Sequence, residues 1–368
     1  MNASLIAFAV ALIASLGLTV PVRQLALRVG MVDHPGPRKV HLEPIPLLGG
    51  LAIYCGVLVA LLVSIGGLAI YSGVLIALLA SMGGSALTQV LGIFSAATLV
   101  AVIGILDDRG LLHHQIKLFG AMPAAAVILL ATGIRAHIFT SFWPGTAGLW
   151  ADTALTLVWV VGITASFSIL DHMDGLCAGI AAVASLFFAV FALESGQLMV
   201  STMAAAVLGA AAGFLRWNFK PAKIFMGDGG AMFFGFLMAT LALKLRPVMA
   251  GAHNAAWLVP VFILGATIFD TTLISISRSR RGFIPFTTPG KDHAAHRLSN
   301  LFNSQRSAVL VLYAVGTVFG LLALAISRLP ALPAYSVAAL AGVTSLAAIA
   351  LLELAPYERQ TAKKEPAP

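Results

Sequence analysis

Six aspartates carry the chemistry open to this chain. Asp107 and Asp108 are adjacent, Asp171 and Asp174 are three apart, and Asp228 and Asp270 stand alone. Each lies at or just beyond the end of a long apolar run. Carboxylates are costly beside lipid and are kept there for function, next to water, a cation or a partner charge. Gathered on one membrane face, they suggest a divalent-metal site and, through it, chemistry on phosphates.

The flanking residues sharpen this. In GILDDRGLLHHQIK (104–117), one carboxylate of the Asp107–Asp108 pair can hold a metal while the other keeps a nucleophile deprotonated. A solvated acidic cap beside Arg109 is the plainer alternative. In SILDHMDGLCAG (168–179), Asp171 and Asp174 would be neighbours on a helix, with Gly175 permitting a turn. One or two carboxylates plus substrate phosphates is the usual protein share of a Mg²⁺ site. His172 between them is either a pocket donor or a bystander. In NFKPAKIFMGDGGAMFFGF (218–236), glycines around Asp228 would let backbone N–H groups approach an anion, unless they only make a tight turn.

Two basic segments complete the set. RSRRGFIPFTTPGKDHAAHRLSNLF (278–302) offers His293, His296 and Arg297 as donors to a diphosphate or sugar. The histidine spacing would suit zinc, but no third Cys or His ligand lies beside it. Arg278, Arg280 and Arg281 are expected to be membrane-surface anchors. VDHPGPRKVHLEPIPLLGG (32–50) reads as an ordered, proline-stiffened rim. Its Arg38, Lys39 and His41 would meet a lipid phosphate or the anionic leaflet.

The elements that must position these residues are membrane helices. Of 368 residues, 60% are hydrophobic and 10% charged, with mean hydropathy +0.98. Soluble domains carry about 25% charged residues, so the expectation is an all-α, polytopic integral membrane protein. Stretches of about 20 apolar residues fall near 4–26, 47–67, 88–106, 117–134, 152–170, 176–193, 198–216, 229–246, 256–276, 307–327 and 332–352, which makes eleven spans. Residues 68–87 are also apolar, but their glycines and serines, and the topology a further span would force, argue against counting them. The first span lacks the Lys/Arg and cleavage site of a signal peptide and reads as retained. Residues 1–353 form one transmembrane catalytic domain in this reading, and 354–368 a short cytoplasmic, polar, disordered tail.

Loop charge orients the bundle. Eighteen of the 22 Lys and Arg fall in loops assigned to one side, leaving Arg135, Lys244, Arg246 and Arg328 on the other. The positive-inside rule then sets the N-terminus outside, the C-terminus inside and the aspartates on the cytoplasmic face. Topology therefore accounts for the net charge of +8, and no basic run interleaved with aromatics suggests nucleic acid. Cys55 and Cys177 lie in apolar segments without CxxC spacing and read as small core residues. No internal repeat supports an inverted-repeat transporter.

Taken in order, DHPGPRKVHLEPIPLLGG, GILDDRGL with Lys117, LDHMDGLCAG, NFKPAKIFMGDGG, the Phe269–Asp270 pair and DHAAHRL resemble the polyprenyl-phosphate N-acetylhexosamine-1-phosphate transferase superfamily. The likeness spans residues 32–298 and is closest to the branch using UDP-GlcNAc and undecaprenyl phosphate. It implies Mg²⁺- or Mn²⁺-dependent transfer of a sugar-1-phosphate from a UDP-N-acetylhexosamine to a polyprenyl phosphate, releasing UMP. That reaction would start lipid-linked cell-envelope polysaccharide synthesis in the bacterial cytoplasmic (inner) membrane. A homodimer is an open assembly.

By the same resemblance, Asp107 and Asp108 are the catalytic carboxylates. Asp174 binds the metal with Asp171 beside it, and Asp228 is the second choice as ligand. Lys117, Asp228, His293, His296 and Arg297 contact substrate. The chain departs from the family pattern in five places. Ala165–Ser168 stand where NAxN is common, His172 replaces Gly or Asn, and Ala295 replaces a histidine. Ala231 and Ala121 replace Ser and Gln.

The residues themselves support attack by the lipid phosphate on the sugar-linked phosphorus, with the metal on the diphosphate and both substrates held together. Asp107 would help keep the nucleophile ionised, with Asp108 as second base or metal partner. Two rivals remain at this level. A catalytically dead relative acting in assembly is motivated by the lost amides and histidine. An ion-coupled transporter would need carboxylates near mid-span, where only Asp270 approaches.

Overall fold

A chain this apolar has to satisfy its backbone N–H and C=O groups internally, and helices do so within one segment. The computed structural model describes residues 2–35, 43–71, 85–112, 116–250, 255–284, 290–355 and 357. Helices α1 (Asn2–Arg28), α2 (Gly49–Tyr71) and α3 (Ser85–Asp108) come first. A π-helical turn, Lys117–Ala121, then runs directly into α4 (Met122–Ala131). The short α5 (Phe139–Phe142) precedes α6 (Thr146–Leu170), α7 (Leu176–Glu194), α8 (Leu198–Asn218) and α9 (Gly227–Lys244). Next come α10 (Leu258–Ile263), α11 (Gly265–Arg280), α12 (Ala294–Phe302), α13 (Gln305–Arg328) and α14 (Ala331–Leu354).

Each expected span coincides with helix, and the protein is an all-α polytopic membrane protein. Among the described residues seven helices, α1, α3, α6, α7, α8, α13 and α14, are long and apolar enough to cross a bilayer. The expected span at 256–276 is divided at Leu264 into α10 and α11. Besides helices and loops, the described residues hold a two-residue antiparallel ladder, Val32–Asp33 on Ile45–Pro46, and an isolated parallel bridge between Leu47 and Phe225.

Small residues set how closely the helices approach. Between lipid-embedded helices no hydrophobic gain is available, so backbone proximity and hydrogen bonds hold the pair. α1 turns Ala7, Ala11, Ser15 and Thr19 onto α8, where Ser15 donates to the Ala210 carbonyl at 2.9 Å and Ser4 meets Ser201 at 3.0 Å. α9 is buried on all sides except at Asp228 and Lys244, and forms the core of the bundle. Its first turn is wedged between two helices. A Cβ on Gly50 would lie 2.2 Å from the Gly230 nitrogen, and one on Gly104 would lie 2.5 Å from the Gly229 Cα.

The helices sort the acids by end. α3 and α6 finish, and α9 and the π-turn begin, at one end of the bundle. Asp152 lies 18 residues before Leu170 on α6, about 27 Å away at 1.5 Å per residue. It is fully buried and accepts from the backbone of Ile138, Phe139 and Thr140, so its charge is spent holding α5.

Candidate active site

The N-terminus of α9 organises the site. Its unpaired N–H groups carry partial positive charge and favour anions. Here the anions are the protein's own. Asp108, the last residue of α3, accepts from the Asp228 N–H at 2.9 Å and the Gly229 N–H at 3.2 Å. Asp171, capping the end of α6, accepts from the Gly227 N–H. Gly227 has φ +74°, and a Cβ there would lie 2.4 Å from the Asp108 carboxylate, so this turn needs glycine.

Side chains close the ring. Lys117 donates to Asp107 at 2.7 Å and to Asp228 at 2.5 Å, and Ser168 donates to the other Asp228 oxygen at 2.5 Å. Asp107, Asp108, Asp171 and Asp228 thus share one centre with a single lysine. Burial, then the charges of Asp228 and Asp108, push the Asp171 carboxyl up to about 8. A hard divalent cation fits this excess of carboxylate oxygen. Among the described residues no three His, Cys, Asp or Glu side chains converge as ligands. A cation here would therefore take one or two carboxylates and complete its shell with phosphate and water, as Mg²⁺ does.

Asp174 takes other hydrogen-bond partners, although its charge also acts on Asp171. Residues 171–175 form a non-helical turn, with Gly175 left-handed at φ +77°, so the helical spacing expected for Asp171 and Asp174 does not occur. Asp174 accepts from the Ala222 N–H at 3.1 Å and lies 3.8 Å from the Lys220 ammonium. Asn218 and Tyr313, which sequence reasoning did not single out, fix the turn. The Gly175 N–H donates to Asn218 at 3.0 Å, and the Tyr313 hydroxyl donates to the Gly175 carbonyl at 2.5 Å.

Beside it lies a histidine cluster. The His172 ring stacks on His293 with centroids 3.9 Å apart and lies 4.7 Å from His296. His293 donates through Nδ1 to Asp270 at 2.8 Å, and Asp270 also accepts from the Ala294 N–H. Burial, then neighbouring His293, push His172 well below the ordinary histidine value and bring His296 down to about 4.

Several expectations need correction. The α9 glycines do not cradle a ligand anion: the N–H groups of Asp228 and Gly229 are already taken by Asp108, and Gly229 and Gly230 serve helix contact. Arg278 is not a surface anchor. It is 3% exposed and grips Asp292 through two nitrogens at 2.7 and 3.0 Å, because a buried carboxylate requires a partner charge. Arg281 also pairs with Asp292. Arg280 alone is exposed. The start of the expected disordered tail is engaged, since Tyr357 stacks under Arg297 at 3.9 Å.

Arg297 is fully buried, and its guanidinium is spent on the chain's own groups. It donates to the Asp292 and Leu352 carbonyls and to Ser277, and sits 2.7 Å from Glu353. Ser168, where the family often has an amide, holds Asp228. Ala231 and Ala295 are fully enclosed. Arg38, Lys39 and His41 lie outside the described residues.

Comparison with known proteins agrees with this geometry. The sequence model described as Glycosyl transferase family 4 matches residues 90–246, which carry Asp107, Asp108, Lys117, Asp171, Asp174 and Asp228. The chain is 34% identical over 325 residues to a probable undecaprenyl-phosphate N-acetylglucosaminyl 1-phosphate transferase of Bacillus subtilis, covering 87% of this chain and 84% of the relative. It is 32% identical to a decaprenyl-phosphate N-acetylglucosaminephosphotransferase of Mycolicibacterium smegmatis, covering 79% and 74%. It is 23% identical to an undecaprenyl-phosphate alpha-N-acetylglucosaminyl 1-phosphate transferase of Yersinia pestis, covering 86% and 83%. With its acidic ring inside the matched region and its length aligned almost throughout, the chain belongs to glycosyl transferase family 4.

Proposed function

We propose that this protein transfers N-acetylglucosamine-1-phosphate from UDP-N-acetylglucosamine to a polyprenyl phosphate, undecaprenyl phosphate by default, and releases UMP. The carrying observation is the ring in which Lys117 bridges Asp107 and Asp228 while Asp108 and Asp171 cap the same helix. The names of the aligned relatives supply the substrate class.

The reaction is an exchange of phosphoanhydride bonds. A lipid phosphate oxygen attacks the sugar-linked phosphorus, a new P–O bond forms, and the bond to UMP breaks. Asp107 takes the remaining proton from a monoanionic lipid phosphate, whose second pKa is near 6 by analogy with other phosphomonoesters. Lys117 holds Asp107 against Asp228 and offsets charge building on the transferring phosphate. Mg²⁺ or Mn²⁺ would be held by Asp171 with Asp174 or, as second choice, Asp228, whose own contacts to Lys220 and to Lys117 and Ser168 respectively the cation would loosen. When bound, the cation neutralises the donor diphosphate and the leaving UMP. His296 faces the same end of the bundle and suits the donor, while His293, paired with Asp270 and Arg278, holds the cluster in place.

Eleven crossings, an outside N-terminus and a cytoplasmic site in the bacterial inner membrane complete the proposal, supported by the charge bias of the loops. Residues 1–353 then act as one catalytic unit. The test is UMP release by purified protein given UDP-N-acetylglucosamine, undecaprenyl phosphate and Mg²⁺. Activity is expected with the cation and none after chelation. Absence of UMP with every UDP-sugar tried would defeat the proposal. For topology, Leu111→Cys in a background lacking Cys55 and Cys177 should react with an impermeant maleimide only in inside-out vesicles.

A further inference from the structure

His172 lies between the two halves of the site, one residue after Asp171 and stacked on the histidines of the 290–302 segment. Its Nδ1 is 3.1 Å from the Ile169 carbonyl oxygen. A carbonyl only accepts, so Nδ1 carries the hydrogen, and Nε2 of the neutral ring presents a lone pair. That Nε2 is buried, and no protein group among the described residues bonds it. Its neighbour differs: His293 gives Nδ1–H to Asp270 and meets Arg278 at Nε2, 3.4 Å away. His293 is saturated at both nitrogens and His172 at one.

Buried polar atoms are matched in the great majority of cases, and an exception at a functional site calls for a group that arrives with a ligand. That group must be a hydrogen-bond donor. Ionised phosphate oxygens only accept, so the diphosphate is excluded as the partner. In a UDP-sugar the donors beside the diphosphate are the hydroxyls and acetamido N–H of the sugar, and the ribose and uracil on the other side.

We propose that His172 is a specificity-determining residue whose Nε2 accepts a hydrogen bond from a hydroxyl or N–H of the UDP-sugar. This rests on the transferase reading above. Sites built to pair a particular hydroxyl or N–H discriminate strongly against substrates that fail to supply it.

The experiment compares purified wild-type protein with His172→Phe, which keeps a ring in the stack without an acceptor, and His172→Gln, which restores a side-chain carbonyl. Three constants are measured: KM for UDP-N-acetylglucosamine, KM for undecaprenyl phosphate, and Ki for UDP as a sugar-free competitor. His172→Phe is expected to raise the donor KM about tenfold or more and leave the lipid KM unchanged, and His172→Gln to recover most of the loss. A UDP Ki that stays constant assigns the bond to the sugar, and one that rises in step assigns it to the nucleoside. Wild-type constants in His172→Phe, as an internal water for sole partner would give, overturn the proposal. So does failure of His172→Gln to recover, or a change in the lipid KM alone. A wild-type protein inert toward UDP-sugars defeats the transferase reading itself, and that is seen before any variant is compared.

Discussion

Asp108 holds Asp228 by its backbone. The Asp108 carboxylate accepts the N–H of Asp228 at 2.9 Å and of Gly229 at 3.2 Å, while the Asp228 side chain is left to Lys117 and Ser168. The two adjacent aspartates at the end of α3 therefore divide their work. Asp107 faces the lysine, and Asp108 fixes the helix that presents the opposing carboxylate. Replacing Asp108 by Asn turns an amide NH₂ toward a backbone N–H. Turnover should fall about 10²-fold through displacement of Asp228, with about 1 kcal/mol of stability lost at the cap. UMP release and thermal unfolding of the variant check both.

Lys117 is the ammonium shared by Asp107 and Asp228. Without it, two carboxylates face each other uncompensated and the transferring phosphate loses its positive partner. Lys117→Met should lower kcat by about 10²- to 10³-fold, with a smaller effect on the donor KM. Lys117→Arg should not rescue, because a planar fork does not replace a point charge held between two acids. Steady-state kinetics on both variants decide this, and near-normal kcat in Lys117→Met would refute the assignment.

The wedge of α9 between α2 and α3 depends on absent side chains. Gly104→Ala places a methyl 2.5 Å from the Gly229 Cα, where only backbone could yield. A loss of about 1–3 kcal/mol is expected from such overpacking. Gly342→Ala on α14, where an added Cβ meets nothing within 4 Å, serves as the control. Thermal unfolding in detergent separates the two.

Acid should loosen the 290–302 segment in two stages. Burial alone would raise the Asp292 pKa, but Arg278, then Arg281, reverse this and hold it at about 2 against an ordinary 3.8. Since the folded value lies below the unfolded one, this stabilisation is present above about pH 4 and is lost as pH falls toward 2. It amounts to about 2–3 kcal/mol. His296, held at about 4 against an ordinary 6.5, stabilises above pH 6.5 and loses its share between 6.5 and 4. Because Asp171 and His172 also titrate, each share is read as a difference from wild type. The stability gap to Asp292→Asn should close from pH 4 to 2, and the gap to His296→Gln should change between pH 6.5 and 4.

The end of α14 clasps Arg297 through the Leu352 carbonyl, Glu353 and Tyr357. Glu353→Gln leaves a fully enclosed guanidinium without its counter-ion and should cost about 3 kcal/mol. Tyr357→Ala should cost about 1 kcal/mol through the lost ring contact. Thermal unfolding reads both, and an unchanged midpoint in Glu353→Gln would count against the clasp.

Composition and apolar run length were enough to specify an all-α membrane protein and the helix behind every expected span, because the bilayer leaves a backbone few ways to satisfy itself. The ordered acidic motifs likewise marked Asp107, Asp108, Lys117, Asp171 and Asp228 as members of one site. Tertiary structure decided what each does, since a motif does not say which partner a charge will meet. Asp108 finds a helix N-terminus, Asp174 turns to Ala222 and Lys220, and Arg278 and Arg297 are drawn inside by Asp292 and Glu353. The glycines around Asp228 looked suited to an approaching anion, yet their space is filled by Gly50 and Gly104 from helices more than a hundred residues away in the chain. Local sequence sets which groups are present and what backbone they can adopt. Which groups then meet depends on contacts between distant segments, and those arise only when the helices pack.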